Sequence, residues 1–522
     1  MHKLFIICFV LFVSFSTTAN NFKINAENSD VTRYIEKSWD ILTRDNYNLL
    51  KSQHDTKLTA QHLIIYIPKE EDINAIRNKA IKKYSQNKNS LVEFRYLPKN
   101  TKTLNEHGLL YLPHPYVVPG GRFNEMYGWD SYFIELGLLE HNRLKLARNM
   151  VDNALYEIKH YGTILNANRS YYLNRSHPPL LTEMILAYYR RTGDKEWLAT
   201  TIPAIDKLYQ YWMSPPHLIS ELGLSRYYAM GQGPCPEESS SYYEKVIEYF
   251  RTHSVADYDK SMYFDKKANQ LTALFYKADR TVRESGLDIT EKYGPFSAGI
   301  LDYAPVDLNT LLYKMEEEAG EINRILNNYS AAKVWEQRAV KRAELINHYL
   351  WDESTGYYFD YNFKSKKLRP YIYASTFYPL WAGVASKQQA AAIVKNLPHL
   401  LAKGGLLTST HHPGLQWDAP FGWAPLQYFA VYGLKRYGYT ELALDIAQRF
   451  IKTVNKGFQE NHTIFEKYDV ETLGVKTKDK IKFSYASNEM GFGWTNGVYL
   501  VFLKLINQHQ KTLLGNSTHV PS

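Results

Sequence analysis

Pro119-Gly-Gly-Arg-Phe-Asn-Glu-Met-Tyr-Gly-Trp-Asp-Ser-Tyr132 and Gln416-Trp-Asp-Ala-Pro-Phe-Gly-Trp-Ala-Pro425 are the two most informative stretches of this chain. Each combines carboxylates, tryptophans and tight-turn residues. Those are the parts of a sugar-binding cleft. A pyranose needs fixed acceptors and donors for its hydroxyls and flat apolar surfaces for its C–H faces. The two stretches are far apart in sequence, so a fold that uses both at one site must bring distant loops together.

Working outward from them, apolar residues recur at helical spacing. The pattern predicts helices over 142–161, 180–189, 195–212, 255–277, 305–328, 331–350, 387–396, 422–438, 440–456 and 494–508, and helical spacing over 34–43. They form hairpins with short loops, one pair about every 40–50 residues, which fits either an open solenoid or a closed ring. Loops rich in sugar-binding residue types run from position 119 to 496. A closed toroid of helix pairs lets them converge, and an open solenoid does not. The expected fold class is therefore all-α, a toroid of helix hairpins. No Gly- or Pro-rich linker divides the chain. One catalytic domain is expected over 40–510, with a polar segment at 20–39 and a polar tail at 511–522.

The chain has 522 residues, 45% hydrophobic and 22% charged, as in soluble globular proteins. Its net charge of +9 is spread without a dense basic block. Neither a nucleic-acid stripe nor a polybasic membrane anchor is present, and a monomer with a small-molecule partner is expected. The 43 tyrosines suit carbohydrate contact, though they also serve as core and surface filler. His2 and Lys3, an apolar run over 4–15 and the small residues up to Ala19 read as a signal peptide over 1–19. The run is too short to span a bilayer. Its removal takes Cys8 away and leaves Cys235 alone, so no internal disulfide is expected. An exported protein without disulfides suits a bacterial periplasm. The sequons Asn168-Arg-Ser170 and Asn174-Arg-Ser176 point the same way, because glycans there would block the cleft.

Splitting a glycosidic bond takes two carboxyl groups, one to protonate the leaving oxygen and one to activate water or attack. Arg283-Glu-Ser-Gly-Leu-Asp288 sets Asp288 just after a turn at Ser285-Gly286, where it would otherwise be read as a helix cap. Phe465-Glu-Lys-Tyr-Asp469 offers Glu466, which by itself reads better as a solvated surface Glu-Lys pair.

Taken together, these segments resemble the paired signatures of the trehalase family (inverting glycoside hydrolases of family 37, which split α,α-trehalose). The resemblance implies an (α/α)6 barrel, with Asp288 as general acid and Glu466 as general base. It implies that Arg122 binds sugar hydroxyls, that Trp129 supplies a stacking face and that Asp130 is an acceptor. Asn166, Arg175, Ser176, His177, Glu237, Gly286, Gln416, Trp417 and Asp418 match further substrate-binding positions. Core packing is the plain alternative for the tryptophans. Gly491-Phe-Gly-Trp-Thr-Asn496 also matches the family.

The chain departs from the pattern in several places. His177 replaces a frequent glutamine, Leu287 a tryptophan and Cys235 an arginine whose charge a thiol cannot supply. The acid usually found directly before the last glycine motif is moved back one place, to Glu489. These departures leave room for a related hydrolase of another small α-glucoside. A sugar-binding pseudoenzyme is the remaining alternative, against which Asp288 and Glu466 are both retained. His411 and His412 are adjacent rather than at helix spacing, and there is no His-Glu-x-x-His, so no metal is expected. Two-carboxylate hydrolysis needs no cofactor.

Overall fold

The computed structural model describes residues 26–45, 63–84, 92–101, 104, 106–483 and 487–517. The expected signal peptide lies outside the described residues. In chain order the helices are α1 (Ala26–Leu42), α2 (Ile73–Tyr84), α3 (Asp130–Glu140), α4 (Leu144–Tyr161), α5 (Leu181–Thr192), α6 (Lys195–Thr200), α7 (Ile202–Trp212) and α8 (Ser240–Thr252). They continue with α9 (Ala273–Glu284), α10 (Val306–Ile325), α11 (Tyr329–Tyr349), α12 (Tyr378–Ala382), α13 (Lys387–Asn396), α14 (Ala424–Arg436), α15 (Thr440–Asn461) and α16 (Gly493–Ser517).

Six helices close a ring. Helix α3 packs on α5, α5 on α10, α10 on α12, α12 on α14, α14 on α16, and α16 returns to α3. Outside them α4 packs on α3 and α5, α7 and α11 on α10, and α15 on α14 and α16, with α1 against α15 and α16. This is the (α/α)6 barrel.

Sequence pattern separates the two layers. The outer helix α15 buries one stripe, including Leu444, Ile446, Phe450, Ile451 and Val454, and keeps its other face polar. The ring helix α3 is buried nearly all round, from Asp130 and Tyr132 to Leu138 and Leu139. The ring closes where α3 meets α16. There a Cβ on Gly137 would lie 2.8 Å from the Cα of Gly497, and a Cβ on Gly497 would overlap the carbonyl of Phe133. Only glycine at both positions allows this approach.

The structure also departs from the periodicity. Residues 195–212 form two helices, α6 and α7, that part at Thr201, with Pro203 in the first turn of α7. The expected helix over 255–277 is a short helical turn, Lys260–Met262, and a hairpin of Phe264–Asp265 with Gln270–Leu271 before α9 begins. Helix α1 starts at Ala26 and buries Val31, Ile35, Trp39 and Leu42. A small parallel sheet precedes the first signature. Strand Leu63–Ile67 pairs with Val92–Tyr96 and with Leu109–Leu110, and α2 joins the first two. Among the described residues no helix is long and apolar enough to cross a membrane.

One feature of the ring carries a stability consequence. Glu135, on α3, is fully buried, and neither carboxylate oxygen has a hydrogen-bond partner. Burial, reinforced by the charge of Glu183, holds its pKa well above the usual 4.5. The folded state therefore keeps this proton while the unfolded chain releases it above about pH 4.5. The cost of retaining it grows by about 1.4 kcal/mol per pH unit until the folded pKa is passed. Glu135→Gln is expected to melt above the wild type at pH 8, with the gap closing toward pH 4.5. Thermal melts across this range check it. A difference that does not change with pH would contradict the assignment.

Candidate active site

Loops at the N-terminal ends of ring helices enclose a cavity of about 540 Å³, within the roughly 300–1,000 Å³ typical of small-molecule sites. Trp129 and Asp130 reach it at the start of α3, His177 just before α5, Trp423 just before α14 and Trp494 at the start of α16. Arg122, Asn166, Arg175, Glu237, Gly286, Asp288, Trp417 and Glu466 also line it. Three nominated residues do not: Ser176, Gln416 and Asp418 stand behind the lining.

The cavity's aromatic wall is a cluster of four tryptophans. Trp417 and Trp423 stack at 3.9 Å with planes 5° apart. Trp494 meets both edge-on, at 6.2 and 5.6 Å, and Trp129 lies 5.8 Å from Trp417 and from Trp494. Gly286 presses on this cluster. Its φ is +73°, and a Cβ there would come 3.0 Å from the Trp129 ring.

On one side stands Asp288. The Gln416 side-chain amide donates to the Asp288 carbonyl, and Trp417 N donates to Ile289 O at 3.3 Å. Asp418 accepts from Glu291 N, Tyr371 Oη and Ser409 Oγ, each at 2.8 Å. Gln416 and Asp418 thus hold the loop that carries Asp288. Burial pushes the Asp288 carboxyl up to about 7, against the pull of Arg283, whose Nη1 is 3.6 Å from Oδ2. Arg283 also binds Glu238 at 2.9 Å and Asp279 at 3.1 Å.

Glu466 occupies another part of the wall, in a different electrostatic setting. Its Oε2 lies 2.7 Å from the ammonium of Lys467, which is buried over the Trp423 ring at 5.1 Å. Desolvation lowers the Lys467 pKa, and the charge of Glu466 opposes that. The Glu466 backbone is fixed at both ends. Its N–H donates to Glu489 O at 2.9 Å, and its carbonyl accepts from Trp494 Nε1 at 3.0 Å. Strand Phe421–Trp423 pairs antiparallel with Lys467–Asp469, Trp423 opposite Lys467. Asp130 feels both Glu466 and Asp288. Burial first, and then these two carboxyls, raise its pKa well above normal.

The remaining nominated residues have defined partners. Arg175 pairs with Glu237, and Arg175 and Arg283 hold the Glu237 carboxyl down to about 2 against the desolvation of burial. Cys235 lies behind this pair, outside the cavity lining. Its thiol donates to Asp279 Oδ2 at 3.3 Å and accepts from Arg175 Nη1 at 3.6 Å. His177 Nδ1 accepts from Trp129 N at 3.2 Å, and burial, with Arg175 beside it, keeps the ring's pKa well below normal. Asn166 donates to Arg283 O at 3.0 Å. Ser176 donates to Ile164 O at 2.6 Å and ties its loop to Glu284 through its backbone N–H at 3.1 Å. At the mouth, Arg122 pairs with Glu489 at 3.2 Å and covers Phe123. The displaced acid Glu489 therefore still reaches the first signature. Among the described residues, no group of three or more His, Cys, Asp or Glu could hold a metal ion.

Sequence reasoning passed over several lining residues: Arg283, Glu238, Tyr127, Tyr172, Tyr242, Trp423 and Trp494. Arg283, Trp423 and Trp494 sit inside motifs already singled out and could have been nominated. Tyr127 sits inside the first signature as well, whereas nothing in the sequence separates Tyr172 and Tyr242 from the other tyrosines.

The trehalase family model matches residues 14–507. The chain belongs to the trehalase family. It is 37% identical to the cytosolic neutral trehalase of Kluyveromyces lactis, over 93% of this chain and 72% of that protein. It is 40% identical to the cytosolic neutral trehalase of Neurospora crassa, over 77% of this chain and 60% of the relative. The solved structure of the Saccharomyces cerevisiae neutral trehalase superposes with a TM-score of 0.78 at 36% identity, covering 94% of this chain and 96% of that one. A mannosylglycerate hydrolase from Thermus thermophilus shares the fold at 16% identity and a TM-score of 0.52, over 74% of this chain and 95% of that one.

The neutral trehalases among these relatives overturn the expectation of a bacterial periplasmic protein, since they are named cytosolic and come from yeasts and filamentous fungi. The family match begins at residue 14, inside the segment read as a signal peptide. An apolar run behind two basic residues is not a sufficient cue.

Gly286→Ala tests the packing of the site. The left-handed backbone costs a non-glycine residue about 1–2 kcal/mol, and the added methyl displaces Trp129. A lower melting temperature and a raised KM for trehalose are expected. Wild-type values of both would show that the Gly286–Trp129 contact is dispensable.

Proposed function

We propose that Asp288 and Glu466 carry the hydrolysis of α,α-trehalose in this chain by a single displacement with inversion. Asp288 gives its proton to the bridging oxygen as the bond to the anomeric carbon breaks. Glu466 takes a proton from the water that attacks that carbon from the opposite face. One α- and one β-glucose leave, and the proton gained by Glu466 and lost by Asp288 returns through solvent. The supporting observation is that two carboxyls line one cavity, Asp288 beside Arg283 and Glu466 beside Lys467. Asp288 is held up to about 7 by burial, which keeps an acid protonated near neutrality. Glu466 lies 2.7 Å from the buried nitrogen of Lys467. The tryptophan cluster offers apolar faces to the sugar rings, and Arg122, Asn166, Arg175 and Asp130 offer polar groups to their hydroxyls. Cys235 and Leu287 motivated the reading as a hydrolase of another α-glucoside. Neither lines the cavity, and Leu287 is packed in the core.

Asp288→Asn is expected to cut trehalose turnover by roughly 10²–10⁴-fold while sparing α-glucosyl fluoride, whose leaving group needs less protonation. In the wild type, kcat/KM for trehalose should decline above pH about 7, as the acid loses its proton. Steady-state kinetics on both substrates decide; near-normal trehalose turnover by the variant removes Asp288 from the role.

Glu466→Gln should stall attack while leaving protonation intact. Azide needs no base, so adding it to this variant is expected to restore glycosyl transfer from α-glucosyl fluoride. Trehalose hydrolysis at close to the wild-type rate would place the base elsewhere, with Glu489 the next residue to examine.

A further inference from the structure

The loop that carries Asp288 is held from a second side by a buried ion cluster that the chemistry above does not use. Lys292 is 2% exposed. Its ammonium lies 3.0 Å from Asp360 Oδ2 and 3.5 Å from Asp307 Oδ2, and both acids are themselves buried. The rings of Tyr373 and Tyr293 lie 4.8 and 5.4 Å from the same nitrogen. Each acid is fixed to the head of the ring helix α10. Asp360 Oδ1 accepts from Val306 N at 2.8 Å, and Asp307 Oδ1 accepts from Leu308 N at 2.7 Å. Between Asp288 and Lys292 the chain has little freedom. Ser297 Oγ donates to Thr290 O at 2.6 Å, Lys292 N donates to Thr290 Oγ1 at 3.1 Å, and Lys292 O accepts from Arg369 Nε at 2.5 Å.

A lysine desolvated between two carboxylates is a poor way to gain stability, because an apolar cluster of the same volume does as well or better. What it supplies is one defined register, since the ammonium has to reach both acids at once.

We propose that Lys292 is a positioning residue for the catalytic acid. Drawn against Asp360 and Asp307, it docks the loop on the head of α10 and so sets where the Asp288 carboxyl stands relative to the bridging oxygen. The anchor adds to Gln416 and Asp418, which grip the same loop from the second signature. This inference rests on the reading of Asp288 as the acid. Displacing a catalytic group by about 1 Å can cost on the order of 10²-fold in rate.

The test compares Lys292→Met and Asp360→Asn with Asp288→Asn on trehalose and on α-glucosyl fluoride. Asp360→Asn keeps the Val306 hydrogen bond and leaves Lys292 paired with Asp307, so it decides alone if Lys292→Met does not accumulate as folded protein. The expected result is a roughly 10- to 100-fold fall in kcat for trehalose at unchanged KM, with the fluoride rate largely retained. A role in folding alone lowers both substrates in parallel, and that result, or no change in either, overturns the inference. Failure of Asp288→Asn to spare the fluoride would instead remove the acid assignment, and the inference with it. That outcome shows in the control rather than in the two anchor variants.

Discussion

The segment from Gln416 to Trp423 bridges the two halves of the reaction centre. At its start, Gln416, Trp417 and Asp418 bind the backbone of residues 288, 289 and 291. At its end, Phe421, Gly422 and Trp423 pair with the strand that follows Glu466. A short piece of chain thus fixes the loop of Asp288, the proposed acid, and the strand after Glu466, the proposed base, relative to each other. Its two tryptophans stack between those attachments and form part of the cavity wall. Inverting hydrolysis requires two carboxyls at a set separation with room for a water.

The barrel makes that bridge possible. Its ring brings the starts of α3, α5, α14 and α16 to one cavity, and it closes only because Gly137 and Gly497 let α3 and α16 approach at backbone distance. Within the cavity, burial sets the protonation states. Asp130 and Asp288 are pushed upward, whereas the arginines beside Glu237 hold it ionised. Burial alone would raise every carboxyl, so the placement of Arg175 and Arg283 beside Glu237 is what sets that one apart.

Much of this was legible in the residues, and the gaps have physical causes. Outer helices such as α15 announce themselves by an apolar stripe. The ring helices α3 and α12 do not, because a helix buried on all sides has no contrasting face. Asp288 was legible through the family resemblance of its segment, and Gly286 occupies the positive-φ position of the turn before it. Gln416 and Asp418 were recognised as important, but the sequence does not say whether a polar side chain faces the cavity or the loop behind it. Lys467 and Lys292 carry no signal, since a buried lysine is spelled like an exposed one. The cellular setting was misread from an apolar N-terminal run, the single remaining cysteine and the two sequons, none of which specifies a compartment.

The stereochemistry of the first product tests the central claim most directly. Proton NMR of trehalose hydrolysis, recorded before mutarotation proceeds, resolves the two anomeric signals. Water activated by Glu466 on the face opposite Asp288 predicts equal initial amounts of α- and β-glucose. Initial release of α-glucose alone would mean net retention, and the account of one acid and one base across a single water would be wrong.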